Sequence, residues 1–341
     1  MGWRNSHYAG AACVPATPAQ VDENRAVSMC IPSMEFLMSS PAPAPAPTPT
    51  PRPVKATASS VDKKTAKNLA LWQPAVVKAG AKQKRCVMAD FDPAAKPFSS
   101  GDKATDMARV EALASELDAL QNIFYADKRF KLLVILQGTD TSGKDGTLRS
   151  VFSRVSPLGV RTIGWKAPND DERAHDYLRR IHEVVPGDGE IMIFNRSHYE
   201  DVLVPAVKGH ITPAQTAQRF AHINDFERML TQTGTVILKF MLHIGFDEQR
   251  RRLQERLDDP TKHWKFDVGD LDARQQWTHY QAAYAALLQA TSSAWARWTV
   301  VPANSKTHRN LMIATLVCNA MRDLRLRYPP ASPALDQIKI A

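Results

Sequence analysis

The apolar positions of this chain fall into two rhythms that alternate from about residue 105 onward. Met107, Val110, Leu113, Leu117, Leu120 and Ile123 recur at spacings of three and four, which is one face of an amphipathic helix. Short β-rich apolar runs follow at 132–136, 160–165, 191–194, 235–242 and 298–302, separated by longer polar stretches with helical spacing. Continuous rather than alternating apolar runs suit strands covered on both faces. The pattern therefore predicts a parallel sheet of five strands with helices on each side, an α/β fold in three layers. No internal repeat interrupts this order.

Upstream of residue 100 neither rhythm is sustained. Residues 41–54 place proline at every second position among alanine, threonine and arginine. Proline has no N–H to give to a ladder, so this stretch predicts an extended polyproline spacer. The chain of 341 residues then divides into a disordered extension, 1–84, carrying that spacer, a globular domain over 85–328, and a tail, 329–341. The packed body is expected to begin between 85 and 105, with Asp90-Phe91-Asp92-Pro93 starting an arm laid upon it.

Composition narrows the partners. Lys and Arg number 44 against 35 Asp and Glu, and the net charge of +9 favours polyanions such as nucleotides, phosphate chains or nucleic acid. No run approaches the ~18 unbroken apolar residues of a membrane span, and no compact apolar core of a secretory signal opens the chain. Cys13, Cys30, Cys86 and Cys318 show no Cys-x-x-Cys pairing. Free thiols and a cytoplasmic setting are the expectation, with no membrane partner.

The first strand runs directly into Gly138-Thr139-Asp140-Thr141-Ser142-Gly143-Lys144. Glycines at 138 and 143 let backbone N–H groups converge on phosphate oxygens, and Lys144 neutralises their charge. Two acids depart from the usual loop. Asp145 stands where Ser or Thr ordinarily meets magnesium, and Asp140 places a carboxylate inside an anion cradle. A metal between carboxylate and phosphate reverses that repulsion, which makes Asp140 the first candidate ligand for Mg2+, or for Mn2+ in its place. Asp140 could instead orient an acceptor phosphate or cap the turn, and Asp145 serves a metal or the helix dipole equally well.

The third strand ends in Asn195-Arg196-Ser197-His198-Tyr199-Glu200-Asp201, at the edge where open α/β sheets bind ligands. Together with 138–147, this segment resembles the polyphosphate kinase 2 family, in the branch that carries Asn-Arg-Ser-His-Tyr-Glu-Asp. The likeness continues through Lys166-Ala167-Pro168, His175-Asp176, Arg180-Ile181-His182 and 256–266, and covers roughly residues 85–328.

That resemblance implies a P-loop kinase of thymidylate-kinase-like fold with a helical lid, here about 247–270. It also implies a reversible, Mg2+-dependent phosphoryl transfer between inorganic polyphosphate and nucleoside mono- or diphosphates, AMP and ADP included, by a homo-oligomer, dimer or tetramer. Asp140, Lys144 and Arg196 become the catalytic candidates. Gly138, Thr141, Gly143, Asp145, Gly146, Thr147, Asn195 and Lys306 become candidates for holding phosphate and nucleotide. A polyphosphate chain offers charge and no base, so a basic channel is its handle, with Lys166, Arg180, Arg252, Arg256, Lys262 and Lys265 as candidates. Blander assignments compete: Arg196 paired structurally with Glu200 or Asp201, and the arginines of 247–257 in ordinary surface pairs. Asn304, Thr307 and Arg297 depart from the family pattern. The rival functions are an ATP-dependent nucleoside or thymidylate-type kinase and a non-catalytic polyanion binder, with no specific nucleic acid expected.

Overall fold

The structure, a computed structural model, describes residues 63–77 and 85–332 together with 335, 338 and 340. The predicted spacer at 41–54 and most of the predicted extension and tail lie outside the described residues. Among those described, no helix is long and apolar enough to cross a membrane.

Eleven helices and five strands follow one another as α1 (Lys63–Leu71), α2 (Lys103–Asp127), β1 (Lys131–Gln137), α3 (Lys144–Val151), β2 (Val160–Gly164), α4 (Asp170–Ala174), α5 (Arg179–His182), β3 (Ile191–Asn195), α6 (Glu200–Val207), α7 (Pro213–Gln232), β4 (Thr235–His243), α8 (Phe246–Asp258), α9 (Gly269–Gln275), α10 (Trp277–Thr291), β5 (Trp298–Pro302) and α11 (Lys306–Asp323) among the described residues. The strands pair in parallel in the order β2-β3-β1-β4-β5. Every predicted run is a strand, and the sheet is parallel as the continuous apolar pattern requires. Leu132 to Leu136 and Ile191 to Phe194 are essentially inaccessible to solvent, with α2, α3 and α11 packed together on one side and α6, α7 and α10 on the other.

Local chemistry sets the helix ends. The Asp102 carboxylate accepts from the Thr105 N–H to start α2, and Lys128, at φ 53, ends it in the left-handed region. Thr212, Pro213 and Gln215 form a capping box with proline at the first turn of α7. The buried stripe of α2 is Val110, Ala114, Leu117, Gln121 and Phe124. Met107, predicted on the buried face, is exposed, and in that turn the inward position belongs to Asp106, whose carboxylate accepts from Ser99 and Ser100.

The described segment 63–77 departs from the expected boundary at residue 85. The Trp72 indole is buried and leans on Phe91 with centroids 6.1 Å apart, while the Trp72 carbonyl accepts from the Val300 N–H at 2.8 Å. One buried tryptophan and a backbone bond to β5 fasten α1 to the sheet edge. Arg297, one of the departures from the family pattern, reaches this segment through the Pro74 carbonyl at 3.4 Å.

Strand order places the switch point at β1: the chain leaves it toward β2 and β3 on one side and crosses to β4 and β5 on the other. Ligands bind at the carboxyl ends of strands at such a point. The loop after β1 and the segment after β3 meet there.

Candidate functional site

The loop between β1 and α3 is shaped by two glycines whose conformations no other residue takes cheaply. Gly138 has φ 149, and a Cβ there would meet the Leu242 carbonyl oxygen at 2.5 Å. Gly143 has φ 101 and forms the N-cap of α3. Between them Thr141 takes φ 63, a strained value for a β-branched residue, so the loop is held by its surroundings rather than by its own preference.

Those surroundings are arginines. The Arg252 guanidinium donates through Nη1 to the Thr141 carbonyl at 2.9 Å and through Nη2 to the Ala303 and Asn304 carbonyls at 2.7 and 2.8 Å. Its Nε pairs with Glu248 at 2.7 Å. Asn304 in turn accepts from the Gly245 N–H at 2.9 Å, which ties the start of α8 to the end of β5. Arg309 lies on the other flank of the loop and donates to the Ser142 carbonyl at 3.3 Å.

Inside the cradle Lys144 is buried, with Nζ at 2.7 Å from the Gly138 carbonyl and 3.2 Å from that of Thr139. Burial and the nearby Arg196 charge pull its ammonium down to about 8, although Asp140, Glu200 and Asp145 pull the other way. Arg196 follows β3 at φ 65, and its N–H returns to the Leu136 carbonyl of β1 at 3.0 Å. A non-glycine residue in that region costs on the order of 1–3 kcal/mol and marks functional sites. Its guanidinium bridges Asp140 and Glu200, the latter at 3.3 Å. Burial opposes the Arg196 charge, but Glu200 and Asp140 hold it firmly protonated. Burial likewise works against the Asp140 carboxylate, and Arg196 with Lys144 keeps it ionised below the usual range.

These groups open onto a cavity of about 570 Å³. Of the residues singled out from sequence, Asp140, Thr141, Gly143, Lys144, Asp145, Gly146, Asn195, Arg196, Lys166, Arg252, Arg256, Lys262, Lys265 and Lys306 line it. Gly138, Thr147 and Arg180 do not. The Thr147 hydroxyl is turned to the Gly143 carbonyl at 3.2 Å, a bond that closes the first turn of α3.

Two of the polyphosphate-channel candidates are engaged by the protein itself. Arg180 is buried against the Trp165 ring and gripped bidentately by Asp201 at 2.8 and 3.0 Å, with Nη1 on the Lys166 carbonyl. Arg252 reaches the cavity wall, but the bonds just described occupy its donors with loop carbonyls and Glu248. Both arginines build the site. The open cations are Lys166, Lys262 and Lys306, which are exposed, with Lys265 half-buried and Arg256 held by Asp270 at 2.9 Å.

Asp270 went unnoticed in the sequence. Burial and the nearby Asp140 carboxylate push it up to about 6, so a further acid faces the cradle from α9. Trp264 also lines the cavity, 74% exposed, with the Lys265 ammonium 4.9 Å above its ring. Neither carries a spacing signal, because each joins the cavity only through the fold.

A divalent cation fits the donors present. Among the described residues no cluster of three or more His, Cys, Asp or Glu is suited to a metal. Asp140 and Asp145 nevertheless bring two hard oxygen donors to one cavity, and the Asn195 amide donates to Asp145 at 2.8 Å and fixes it. Two carboxylates completed by phosphate oxygens and water form the usual environment of a small hard cation beside phosphates.

Comparisons with known proteins agree on one family. The model of the family described as Polyphosphate kinase 2 matches residues 100–328. An AMP/ADP-polyphosphate phosphotransferase of Meiothermus ruber is 46% identical over 250 residues, 73% of this chain and 94% of that protein. An ADP-polyphosphate phosphotransferase of Rhodopseudomonas palustris is 37% identical over 230 residues, 64% of this chain and 80% of its own length. The crystal structure of polyphosphate kinase 2 from Arthrobacter aurescens TC1 has a TM-score of 0.73 at 39% identity, covering 79% of this chain and 95% of that one.

Proposed function

This chain belongs to the polyphosphate kinase 2 family, and from that membership we propose a Mg2+-dependent, reversible transfer of the terminal phosphoryl group between inorganic polyphosphate and both nucleoside mono- and diphosphates, AMP and ADP first among them. The chain is a transferase of the polyphosphate:nucleotide type. The observation that carries the proposal is the meeting of Asp140, Lys144 and Arg196 in one cavity that Lys166, Lys262, Lys265 and Lys306 also line. Acceptance of both AMP and ADP is supported by the likeness to the Meiothermus ruber enzyme.

The chain's own residues divide the work. Backbone N–H groups of the loop and Lys144 hold phosphate oxygens at the start of α3, where the helix dipole adds to them. Arg196, fixed by Glu200, faces the phosphoryl group in transit and neutralises charge on its oxygens. Asp140 and Asp145 would hold Mg2+, which supplies charge neutralisation on the phosphates and orients them. An acceptor phosphate already ionised at neutral pH needs alignment more than a base, so positioning and electrostatics carry most of the acceleration. Lys166, Lys262, Lys265 and Lys306 lead the chain of phosphates along the cavity wall. Assembly as a homo-oligomer, which the family likeness suggests, belongs to the same proposal, as does a cytoplasmic setting.

The test is formation of ADP and ATP from AMP and long-chain polyphosphate with Mg2+ and no other phosphoryl donor, resolved by chromatography. Product is expected and EDTA removes it. Phosphorylation of AMP only when ATP is supplied would overturn the assignment in favour of an ordinary nucleotide kinase.

A further inference from the structure

Each buried arginine described so far has a carboxylate, except one. Arg180 has Asp201 and Arg252 has Glu248. Arg309, at 2% exposure, donates from Nε and Nη2 to the Asn310 side-chain oxygen at 3.1 and 2.8 Å, and from Nη1 to the Ser142 carbonyl at 3.3 Å. None of these acceptors carries a charge, and the nearby charge that acts on it is the like charge of Arg252. A buried guanidinium is ordinarily paired, because an uncompensated ion in a poorly solvated site is costly.

The loop is cut to admit this group. A Cβ on Gly143 would fall 1.8 Å from Arg309 Nη1, and one on Gly146 would fall 3.0 Å from Nη2. The guanidinium therefore lies in contact with the backbone of the loop and of the first turn of α3, and it forms part of the cavity wall. Its fork of five N–H donors exceeds what three contacts to two oxygens can satisfy.

We propose that Arg309 is a phosphate-binding residue: it seats the polyphosphate chain at the loop, and the phosphate supplies the counter-charge that the protein withholds. The proposal rests on the polyphosphate reading above. It makes the ligand-free cradle electrostatically incomplete. A residue serving only to pack α11 against the loop would instead be satisfied within the protein, and its loss would weaken the fold while leaving phosphate binding intact.

The experiment is thermal unfolding of the full chain, alone, with tripolyphosphate and with AMP, for the natural protein and for Arg309→Met, Arg309→Gln and Arg309→Lys. Tripolyphosphate should raise the melting temperature of the natural protein. Both neutral variants should melt, without ligand, at the same temperature or higher, and should bind tripolyphosphate about tenfold to a hundredfold more weakly, as expected for a lost charge-assisted contact. Arg309→Lys should recover part of the response. A neutral variant that melts lower yet keeps the full tripolyphosphate shift would overturn the proposal, as would a lysine variant no better than the neutral ones. Loss confined to AMP would overturn the polyphosphate assignment, and failure of both neutral variants to fold would show that the charge serves the fold. Binding is read without turnover. Absence of transfer in the natural protein would therefore count against the enzyme reading, and loss of the shift in the variants would still test Arg309.

Discussion

Arg252 and Lys262 belong to the same basic stretch after β4, and the structure gives them opposite work. Arg252 is buried, and its guanidinium is divided among Glu248 and the carbonyls of Thr141, Ser142, Ala303 and Asn304. Lys262 stands in solvent at the cavity rim beside Asp259. Water screens that surface pair, so phosphate can take the carboxylate's place at little cost. Arg180 and Arg252, on the buried floor of the site, are already consumed by the chain, whereas Lys262 at the rim is left available. The same residue types and the same net charge hide a difference that only burial and acceptor identity reveal.

The floor is where substitution should do most damage. Asp140→Asn and Lys144→Ala are each expected to lower turnover about 100- to 1,000-fold with the fold intact, the scale of losing one preorganised charge at a reacting group. Single-turnover assays beside circular dichroism would measure this. Near-normal turnover in either variant breaks the assignment of the floor to chemistry.

Arg252→Met sharpens the comparison next. It strands Glu248 and several buried carbonyls, so stability should fall by about 3 kcal/mol in urea unfolding, and activity should fall with it as the loop loosens. Stability unchanged within the ~0.5 kcal/mol typical of surface substitutions would place Arg252 among the lid cations instead.

The exposed side of the comparison predicts the reverse signature. Lys262→Ala combined with Lys265→Ala should leave the urea midpoint in place and raise KM for long polyphosphate about tenfold, more than for AMP or ADP, with a weaker dependence on salt. Equal effects on both substrates would remove the channel from the lid.

The sheet was legible because its strands are buried on both faces, so each announces itself locally as an unbroken apolar run. The phosphate loop was legible because glycine, lysine and flanking elements are contiguous in sequence. The internal partners of Arg180 and Arg252 were not legible, for the opposite reason. Whether an arginine meets phosphate or a carbonyl depends on residues such as Asp201 and Ala303, which the fold brings from elsewhere. Asp270 depends on how α9 returns across Asp140, and Arg309 depends on two glycines about 160 positions away whose missing side chains make room for it. Segment 63–77 was missed because its inward face is short, Ala66 and Leu69 ahead of the buried Trp72.

The smallest expected effect tests the arm laid against the start of α11. The arm around 91–98 is fastened by two buried histidines: His308 Nε2 accepts from the Phe98 N–H at 3.2 Å, and His243 lies against Phe91. Burial holds both imidazoles neutral, lowered to about 4. A folded-state value depressed below the unfolded one gives stability that is complete above the unfolded value near 6.5 and is lost as pH falls toward 4, because the unfolded chain takes up the protons first. Between about pH 7 and 6 the loss should be about 0.5–1 kcal/mol per histidine. Urea unfolding across that interval should show the slope flattened by about half in His308→Gln, whose side-chain oxygen still accepts from Phe98, and unaltered by the two lid substitutions. A slope that survives removal of both histidines would mean that the arm is held by the Asn304 to Pro93 backbone bond and its neighbours, with the histidines as passengers.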